Sequence, residues 1–330
     1  MAKTKPKPER KPEPEPKPKT RPKPKLQPKP KLQLRPKPHF VPFNFAAIEG
    51  ELSLLERSRI VILPVPYDST STYLSGSREG PQAIISASRS MELFDEELGF
   101  SPCSLGIHTL PFLDQVTSSP EEMLADVSSV IGEYLKLGKF VIMLGGDHIL
   151  SVGAVKVLKK GRESLGVIQF DAHADLRNSY QGTKLSHACT GRRLAEMCPL
   201  IQVGIRSMSE EEDDFLKSVR EPSSIFSLKP SRVREFSACL DRFPHDVYVT
   251  IDVDVFDPSI VPSAGTPEPG GLSWEQVVRL MAGLARKKNV VGFDVTELRP
   301  IPGFVSPDFL VAKLIYRLIG LFVGSARKSP

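Results

Sequence analysis

The 330-residue sequence is poor in cysteine, and its four cysteines are widely spaced: Cys103, Cys189, Cys198 and Cys239. None of them forms a C-x-x-C pair, so the sequence indicates neither a zinc knuckle nor a dithiol redox motif. A chain of this size needs no disulfide framework. We therefore expect small buried thiols in a protein of the reducing cytoplasm.

Long uninterrupted apolar segments are also missing from the sequence. The N-terminus has no apolar core region, so no secretory signal is predicted. The most apolar late segment, residues 309–323, carries Lys313 and Arg317 one helical turn apart. This spacing favours an amphipathic helix over a membrane span, and we expect no membrane association.

Aromatic residues are absent before Phe40, and residues 1–40 instead alternate Lys or Glu with Pro. The segment holds 14 Lys and Arg, 3 Glu and 12 of the 31 prolines, so its charge balance is +11 and that of the remaining chain is −6. This composition predicts a disordered basic tail at 1–40 ahead of one folded domain at 41–330. The tail is either a solubilising extension or a weak contact for nucleic acid or another polyanion, although the lack of aromatic residues argues against base stacking.

Short apolar segments alternate with helical patterns through the rest of the chain. A helix is predicted over residues 120–137 from the start signal Ser119-Pro120-Glu121-Glu122, and another begins near Gln82 after a long loop at 67–81. The alternation predicts an α/β fold with a mostly parallel sheet and helices on both faces. Six segments are typical of buried strands: 59–64, 140–144, 165–170, 200–203, 247–251 and 290–295.

The motif Asp171-Ala172-His173-Ala174-Asp175 directly follows one of these strands. Side chains alternate along an extended chain, so Asp171, His173 and Asp175 project to the same side if the strand continues that far. Neighbouring carboxylates repel each other, and a divalent cation such as Mn²⁺ would remove that conflict. The alternative is a loop of solvated charges after a strand.

Two further strand ends carry side chains of the same chemical types, at the edge where parallel sheets bind ligands. His148 ends Gly145-Gly146-Asp147-His148, where a lone histidine is more often structural than a ligand. Asp252 and Asp254 share a face by the period of two. Four carboxylates and two imidazoles are too many ligands for one small cation but suit two divalent ions with bridging carboxylates. The six predicted metal ligands are His148, Asp171, His173, Asp175, Asp252 and Asp254.

These three motifs, the last being D-V-D-x-x-D-P at 252–258, resemble the signatures of the ureohydrolase (arginase/agmatinase) family over roughly residues 64–320. The segments at 203–210 and 265–273 are similar to the agmatinase branch. The resemblance implies an arginase-like three-layer α/β/α sandwich, a catalytic domain at 41–330 and two Mn²⁺ ions per subunit. It also implies a homo-oligomer, either a trimer or a hexamer.

The resemblance further assigns ligands to each metal ion. Asp171 and Asp252 would bridge the two ions, whereas Asp257 is expected to form a turn before Pro258. The first ion would take His148, Asp171, Asp175 and Asp252. The second would take Asp171, His173, Asp252 and Asp254.

Three residues are predicted to be catalytic: His187, Glu297 and Asp175. The expected reaction is attack of a metal-bridging hydroxide on a guanidinium carbon, which is a poor electrophile. Glu297, at a fourth strand end, resembles the family carboxylate that pairs with the guanidinium, and His187 matches the family's proton-shuttle histidine. The residue types alone leave open a surface acid at 297 and an ordinary loop histidine at 187.

The expected substrate is agmatine, hydrolysed to putrescine and urea, and residues 176–186 are predicted to select it. Similar agmatinases often carry acids where this chain has Asn178-Ser179, and Arg177 and Lys184 could accept a substrate carboxylate. A guanidino-acid hydrolase, either a guanidinobutyrase or an arginase, is therefore the alternative within the class. Outside it, the alternative is a non-catalytic polyanion-binding protein.

Overall fold

A computed structural model describes residues 41–219 and 225–324 of the chain. The predicted tail at 1–40, and with it the suggested polyanion contact, lies outside these residues. The strands of the described part are β1 Ile60–Val65, β2 Ile107–Thr109, β3 Phe140–Gly145, β4 Gly166–Phe170, β5 Leu200–Val203, β6 Ile225–Leu228, β7 Asp246–Asp252 and β8 Asn289–Thr296. Its α-helices are α1 Gly80–Ser88, α2 Pro120–Lys136, α3 Leu150–Lys160, α4 Thr190–Ala195, α5 Glu210–Ser218, α6 Phe236–Asp241, α7 Trp274–Lys287 and α8 Ser306–Ile319.

The eight strands of the described part form one sheet, in the order β2-β1-β3-β8-β7-β4-β5-β6. Every pair of neighbouring strands in this sheet is parallel, which confirms the predicted parallel arrangement. The two strands that the sequence did not reveal, β2 and β6, lie at the sheet edges and contain only three and four residues. Both are only partly buried, so neither carries the continuous apolar signal that identified β5, a fully buried strand of similar length.

Alternate residues of the strands pack into two separate hydrophobic cores. In β1, Ile60 and Ile62 belong to a core that also contains buried residues of α1, α6, α7 and α8. Val61 and Leu63 belong to a second core, to which α2, α3, α4 and α5 contribute. Because both faces of the sheet are apolar, helices must cover both of them. The predicted three-layer α/β/α sandwich is therefore confirmed.

Local side-chain chemistry sets where the helices begin. Ser119 caps α2, since its side chain accepts a hydrogen bond from the Glu122 amide at 3.2 Å, and Pro120 occupies the first turn as predicted. α5 begins with a capping box in which Ser209 and Glu212 satisfy each other's backbone amides. Such capping places helix ends, and the loops between them, at defined positions around the sheet.

The helix predicted at 309–323 is present as α8, which continues into a π-helical turn at Gly320–Gly324. Its expected amphipathic character is wrong at Arg317, which is only 2% exposed. This guanidinium pairs with Asp95 at 2.9 Å and with Glu97 at 2.7 Å, so its charge is neutralised inside the protein instead of being solvated. Among the residues that the structure describes, no helix combines the length and apolar character that crossing a bilayer requires.

The sheet order brings the four predicted ligand-bearing strands together. β3, β8, β7 and β4 are consecutive neighbours, and because they are parallel their carboxyl ends lie at the same edge. The residues predicted to bind metal or substrate follow those ends within a few positions of Gly145, Thr296, Asp252 and Phe170. The fold therefore brings together residues as distant in the sequence as His148 and Glu297, which are 149 positions apart.

Candidate active site and metal centre

The segment after β4 does not continue as a regular strand. β4 ends at Phe170, a single parallel bridge then pairs His173 with Ser207, and Asp175 has a φ of +53°. The expectation that simple strand alternation places Asp171, His173 and Asp175 on one face is therefore wrong. A turn gathers these side chains instead, and the unusual φ of Asp175 is the kind of backbone strain that is concentrated at functional sites.

The turn after β3 places His148 at the sheet edge. A Cβ atom on Gly146 would lie 2.2 Å from the carbonyl oxygen of Tyr67, so only glycine allows this close backbone approach. The next amide, that of Asp147, donates to the same carbonyl at 2.6 Å. His148 follows directly and is completely buried. The glycine thus fixes the path of the chain that carries the histidine.

His148 faces three carboxylates with its Nδ1 atom. This atom lies 3.1 Å from Oδ2 of Asp171, 3.2 Å from Oδ2 of Asp175 and 3.6 Å from Oδ2 of Asp252. In His148, Asp171 and Asp175, the candidate ligand atoms all lie within 4.8 Å of one another. This trio is the first candidate ligand group.

Asp171 also belongs to a second candidate ligand group, with His173 and Asp254. Nδ1 of His173 lies 2.8 Å from Oδ2 of Asp254 and 3.8 Å from Oδ1 of Asp171. The two oxygens of Asp171 therefore face different groups, Oδ2 the first and Oδ1 the second. Such a carboxylate is placed between the two groups as a bridging ligand would be.

Asp252 and Asp254 reach the site through a turn and not through the period-two geometry expected of a strand. β7 ends at Asp252, and Val253–Val255 form a 3-10 helical turn. Oδ1 of Asp252 accepts a hydrogen bond from the amide of Asp254 at 2.9 Å, and Oδ1 of Asp254 accepts one from the amide of Ala172 at 2.9 Å. Asp252 lies beside the first ligand group but belongs to neither trio, so its bridging role stays a prediction.

Buried negative charge dominates the electrostatics of this cluster. Burial, reinforced by Asp175 and Asp254, raises the pKa of Asp171 to about 7. Burial opposes the charge of His173, yet the carboxylates of Asp254 and Asp171 raise its pKa to about 10. The pKa of Asp254 falls to about 2 despite burial, because His173 stabilises its anion. The cluster thus requires positive charge, which divalent cations supply.

The surroundings of His148 show that its Nδ1 atom fits a metal ion. Nε2 lies 2.9 Å from Oγ1 of Thr250, whose hydroxyl donates to Asp294 at 2.6 Å, so Thr250 accepts from Nε2–H. Nδ1 is buried and has no hydrogen-bond partner among the described residues. Burial opposes a proton there, although the carboxylates of Asp171 and Asp175 raise the histidine's pKa well above its ordinary value. A bound cation would accept the Nδ1 lone pair and also balance the charge of the nearby carboxylates, so the histidine would need no second proton.

Two buried glutamines support Asp171. Nε2 of Gln169 donates to Oδ2 of Asp171 at 2.7 Å, and Nε2 of Gln202 contacts Oε1 of Gln169 at 3.0 Å and the carbonyl of Ala174 at 2.6 Å. Sequence reasoning missed these residues, as it missed Thr250 and Asp294. The available signal was a polar residue within an otherwise apolar strand, which is costly to bury without a partner.

Glu297 lies at the end of β8, where it was predicted, with a φ of +63°. Its amide donates to the carbonyl of Gly146 at 2.7 Å, and its Oε1 accepts from the amide of His148 at 2.7 Å. Burial, then the nearby charge of Asp147, raises the pKa of Glu297 well above its ordinary value. The contacts on both sides hold this carboxyl group beside the ligand groups and favour its interaction with a cation.

His187 begins a 3-10 turn at His187–Cys189 that leads into α4. Its amide donates to Oγ1 of Thr70 at 2.9 Å, and its Nδ1 lies 3.2 Å from the same oxygen. Tyr180 packs edge-on against the imidazole, with 6.1 Å between ring centroids. The sequence placed His187 in a loop, but it gave no sign that Thr70, 117 residues away, would be its partner.

A cavity of about 260 Å³ opens above the cluster. Two of the predicted site residues, His148 and Asp171, are completely buried beneath it. The other six line its wall: His173, Asp175, His187, Asp252, Asp254 and Glu297. The structure therefore brings all eight predicted site residues together around one space.

Residues 176–186 contribute only part of the cavity wall. A turn through Gln181 and Gly182 returns the chain after Tyr180, and the guanidinium of Arg177 stacks on the Tyr180 ring at 5.0 Å. Arg177 and Tyr180 line the cavity, whereas Lys184 is exposed. The loop at 67–81 and the start of α5 were not predicted to contribute, yet they add Ser71, Thr72, Tyr73, Leu74, Ser209 and Glu212.

Asp257 forms a turn, as predicted. Its carboxylate accepts hydrogen bonds from the amides of Ser259 at 3.0 Å, Gly270 at 2.9 Å and Gly271 at 3.0 Å. Three backbone amides therefore occupy this carboxylate. They hold the loop after β7 against the Gly270-Gly271 segment.

Fold and site together define an α/β protein with candidate metal-ligand groups at the carboxyl ends of its parallel strands. Comparison with known proteins leads to the same class of protein. The arginase family model matches residues 58–320. An N(1)-aminopropylagmatine ureohydrolase from Synechocystis sp. is 37% identical over 279 residues, covering 82% of this chain and 90% of that protein. An agmatinase from Pyrococcus horikoshii is 35% identical over 271 residues, covering 79% and 91%.

A solved structure gives the same result. The crystal structure of the agmatine ureohydrolase of Thermoplasma volcanium superposes with a TM-score of 0.78 at 30% identity, covering 88% of this chain and 98% of that one. The chain therefore belongs to the arginase family, and it is a hydrolase that acts on the carbon–nitrogen bonds of guanidino compounds. The predicted family and enzyme class are confirmed.

Proposed function

We propose that the protein is a binuclear manganese hydrolase that converts agmatine and water to putrescine and urea. The observation that carries this proposal is the position of Asp171, whose two oxygens face two separate candidate ligand groups. A site for a single cation would not need a carboxylate placed in that way. Oxygen and imidazole ligands suit Mn²⁺, which tolerates mixed ligand sets of this kind.

The residues that would hold the two cations are those of the buried cluster. When bound, two divalent ions lower the pKa of a water molecule and so supply a nucleophile at neutral pH. Asp171 is placed between the two groups, and three neighbouring strand ends bring the remaining ligands together. The proposed ligands are His148, Asp171, His173, Asp175, Asp252 and Asp254.

Glu297 is proposed to orient the guanidinium group. A carboxylate pairs with a guanidinium through two parallel hydrogen bonds, which fixes the plane of the cation. The amide of His148 pins Oε1 of Glu297 at 2.7 Å, so the carboxylate is preorganised before substrate binds. Burial raises the pKa of this carboxyl group, so the charge of an incoming guanidinium would have to offset the cost of ionising it.

His187 is proposed to protonate the leaving amine. When the carbon–nitrogen bond breaks, the alkylamine leaves with the bonding electron pair and needs a proton, while the oxygen of the attacking water becomes the carbonyl oxygen of urea. Histidine can deliver a proton near neutral pH. His187 lines the cavity that also contains Glu297 and Asp175, so all three proposed catalytic residues border the same space.

A longer guanidinoalkylamine is a second candidate substrate. The Synechocystis sp. relative is named N(1)-aminopropylagmatine ureohydrolase, as is a 39% identical protein from Thermus thermophilus. Glu212 also lines the cavity, and an acidic residue there would favour a second ammonium group. Agmatine and its aminopropyl derivative differ only in the part of the molecule remote from the guanidinium.

A guanidino acid remains the alternative within the class, and Arg177 is the observation in its favour. The guanidinium of Arg177 lines the cavity and could pair with a substrate carboxylate. Its stacking on Tyr180 at 5.0 Å keeps it near the cavity wall. The substrates of a guanidinobutyrase or an arginase have a carboxylate that would pair with this charge, whereas agmatine has none.

A urea-release assay on the full-length, Mn²⁺-loaded protein tests the proposal. Agmatine, N(1)-aminopropylagmatine, arginine and 4-guanidinobutyrate are supplied at equal concentrations, before and after removal of metal by a chelator. We expect turnover of agmatine or its aminopropyl derivative, lost on chelation and restored by Mn²⁺. Preference for arginine or 4-guanidinobutyrate would assign the alternative, and no urea from any of the four would contradict the proposal.

The remaining proposals concern the setting of the enzyme. We propose a cytoplasmic trimer or hexamer, with its four cysteines present as free thiols. Light scattering coupled to size-exclusion chromatography tests the assembly.

The less favoured non-catalytic role predicts that deleting residues 1–40 abolishes polyanion binding. Unchanged turnover together with lost polyanion binding would make the tail an accessory that catalysis does not need.

A further inference from the structure

A continuous hydrogen-bonded chain links the end of β3 to the cavity through Asp147, Thr70 and His187. Oδ2 of Asp147 accepts from the Thr70 hydroxyl at 2.6 Å and from the Thr70 amide at 3.0 Å. Its Oδ1 accepts from the amide of Ile149 at 3.2 Å. Asp147 is completely buried, so this carboxylate holds the Thr70 loop from within the protein. None of the catalytic steps described above uses Asp147 or Thr70.

The hydrogen-bonding capacity of Thr70 determines the tautomer of His187. A hydroxyl group donates one hydrogen bond and accepts two. The hydroxyl of Thr70 donates to Asp147, the nearer and stronger acceptor, and one lone pair accepts from the amide of His187 at 2.9 Å. The remaining lone pair faces Nδ1 of His187 at 3.2 Å. Nδ1 must therefore carry a hydrogen, because two facing lone pairs would repel.

We propose that Thr70, supported by Asp147, is a positioning residue that holds His187 in the Nδ1–H tautomer. This arrangement leaves Nε2, on the opposite edge of the ring, to carry the proton that is delivered to the leaving amine. The inference rests on the proposed function of His187 as proton donor. It adds a role for the loop at 67–81, whose residues Ser71 to Leu74 line the same cavity.

Two other groups contact the imidazole but cannot replace Thr70. Oγ of Ser186 lies 3.4 Å from Nδ1 of His187, at the limit of a hydrogen bond. Tyr180 packs against the imidazole with its ring plane at 85° to it, which is a contact between rings and not a hydrogen bond to Nδ1. The Thr70 hydroxyl is therefore the nearer of the two hydroxyl groups to Nδ1.

Three variants test the role of Thr70 in turnover. Thr70→Val keeps the shape of the side chain but removes its hydroxyl, and we expect kcat to fall about 10- to 100-fold with KM changed less than about twofold. Thr70→Ser restores the hydroxyl and should return kcat to within about threefold of wild type. Thr117→Val makes the same substitution at an exposed threonine outside the cavity lining, and it should leave both constants unchanged. A fall in kcat/KM that comes entirely from KM, or full activity in Thr70→Val, would overturn the proposal.

The tautomer itself gives a readout that does not depend on activity. Nitrogen-15 NMR of the histidine-labelled full-length protein, loaded with diamagnetic Mg²⁺ at pH 8.5, distinguishes Nδ1–H from Nε2–H in a neutral imidazole. Loss of one signal in His187→Asn assigns the resonance. We expect the Nδ1–H form in the wild type and a mixture in Thr70→Val. An Nε2–H form in the wild-type protein would overturn the inference even if Thr70→Val failed to fold.

The two measurements separate this inference from the proposed function. If no guanidino substrate is turned over, the proposed function fails, while the NMR result still decides whether Thr70 sets the tautomer. If the wild type is active and Thr70→Val matches it in both kcat and tautomer, the positioning role fails and the proposed function stands.

Discussion

Nδ1 of His148 lies 3.1 Å from Oδ2 of Asp171, and both side chains are completely buried. The other oxygen of Asp171 faces His173 at 3.8 Å. One carboxylate therefore connects two imidazoles that come from different strand ends. Because buried like charges in such a cluster repel in the absence of cations, metal binding and folding stability are linked through this residue.

We predict that Asp171→Asn removes metal binding from both candidate groups. The amide keeps the shape of the side chain but lacks the charge, so the metal content should fall from about two ions to fewer than one per subunit. In wild-type protein, free metal at about 100 times its Kd should stabilise the fold by about 2.7 kcal/mol, whereas the variant should gain almost nothing. Elemental analysis and thermal unfolding with and without Mn²⁺ measure both effects.

Asp114→Asn is the matched control for this prediction, because Asp114 is an exposed acid whose Oδ1 contacts only the neighbouring amide of Gln115 at 3.0 Å. It should bind metal like the wild type. The metal-free Asp171→Asn protein should be at least as stable as metal-free wild type, since one repelling charge is gone. Retention of two ions by Asp171→Asn would show that Asp171 is not shared between the groups.

We predict that Thr250→Val weakens metal binding through His148. The hydroxyl of Thr250 accepts from Nε2 of His148 and donates to Asp294, so its loss frees the imidazole to change its tautomer or orientation. Loss of such an outer partner typically costs 10- to 100-fold in metal affinity. Isothermal titration with Mn²⁺ measures the change. Thr250→Ser, which keeps the hydroxyl, should bind within about threefold of wild type, and equal affinity in all three proteins would contradict the role.

The sequence allowed the central strands and the clustering of the candidate ligand residues to be predicted because their signals are local. Each of the predicted strands β3, β4, β7 and β8 is a short apolar run, and His148, Asp171 and Asp252 follow such runs within a few residues. In a parallel sheet, strand ends meet at one edge, which is sufficient to predict a cluster. The family resemblance then assigned roles to His187 and Glu297, whose residue types alone left them undecided.

The supporting contacts could not be predicted, because they depend on how distant segments pack. Thr70 and His187 are 117 residues apart, and Thr250 and Asp294 meet only because β7 and β8 are neighbours in the sheet. The interpretation of Asp171, His173 and Asp175 as one strand face also failed, since the left-handed conformation of Asp175 cannot be recognised from its residue type. Local periodicity carries no information on such a turn.

We predict that Glu297→Gln impairs substrate use without loss of metal. The amide can still accept the hydrogen bond from the His148 amide, but it no longer offers a charge to the guanidinium. A lost charge-assisted pair of about 3 kcal/mol corresponds to a fall of roughly 100-fold in kcat/KM. Steady-state kinetics on the preferred substrate, with elemental analysis of the same samples, measure this.

Glu275→Gln is the control for that substitution, because Glu275 lies in the first turn of α7, away from the cavity lining. It should leave kcat/KM and metal content unchanged. Near-normal kcat/KM in Glu297→Gln would remove the proposed guanidinium contact. Loss of metal from that variant would instead assign Glu297 to the support of the ligand groups.

The last prediction concerns the pH dependence of stability at Asp308, in the first turn of α8. Burial raises the pKa of this carboxyl group to about 6, and its Oδ1 atom is buried without a hydrogen-bond partner among the described residues. The carboxyl group therefore keeps its proton up to about pH 6 in the folded protein. The unfolded chain, with an ordinary Asp pKa of about 3.9, loses it at lower pH. The contribution of protonated Asp308 to the free energy of unfolding is present in full below about pH 4 and is lost as the pH rises through about 6.

Asp308→Asn removes this titration and should be more stable than wild type at pH 7.5 by about 1 kcal/mol, a value reduced for partial solvent screening. The difference should fall to about a third of that value at pH 4.5, where wild-type Asp308 is protonated in the folded protein but still largely ionised in the unfolded chain. Urea unfolding of the metal-free proteins at both pH values and one protein concentration measures it, with Asp114→Asn as the control expected to show no such change. A stability difference that is the same at both pH values would mean that Asp308 does not titrate across this range, and that burial at the start of α8 does not penalise its charge.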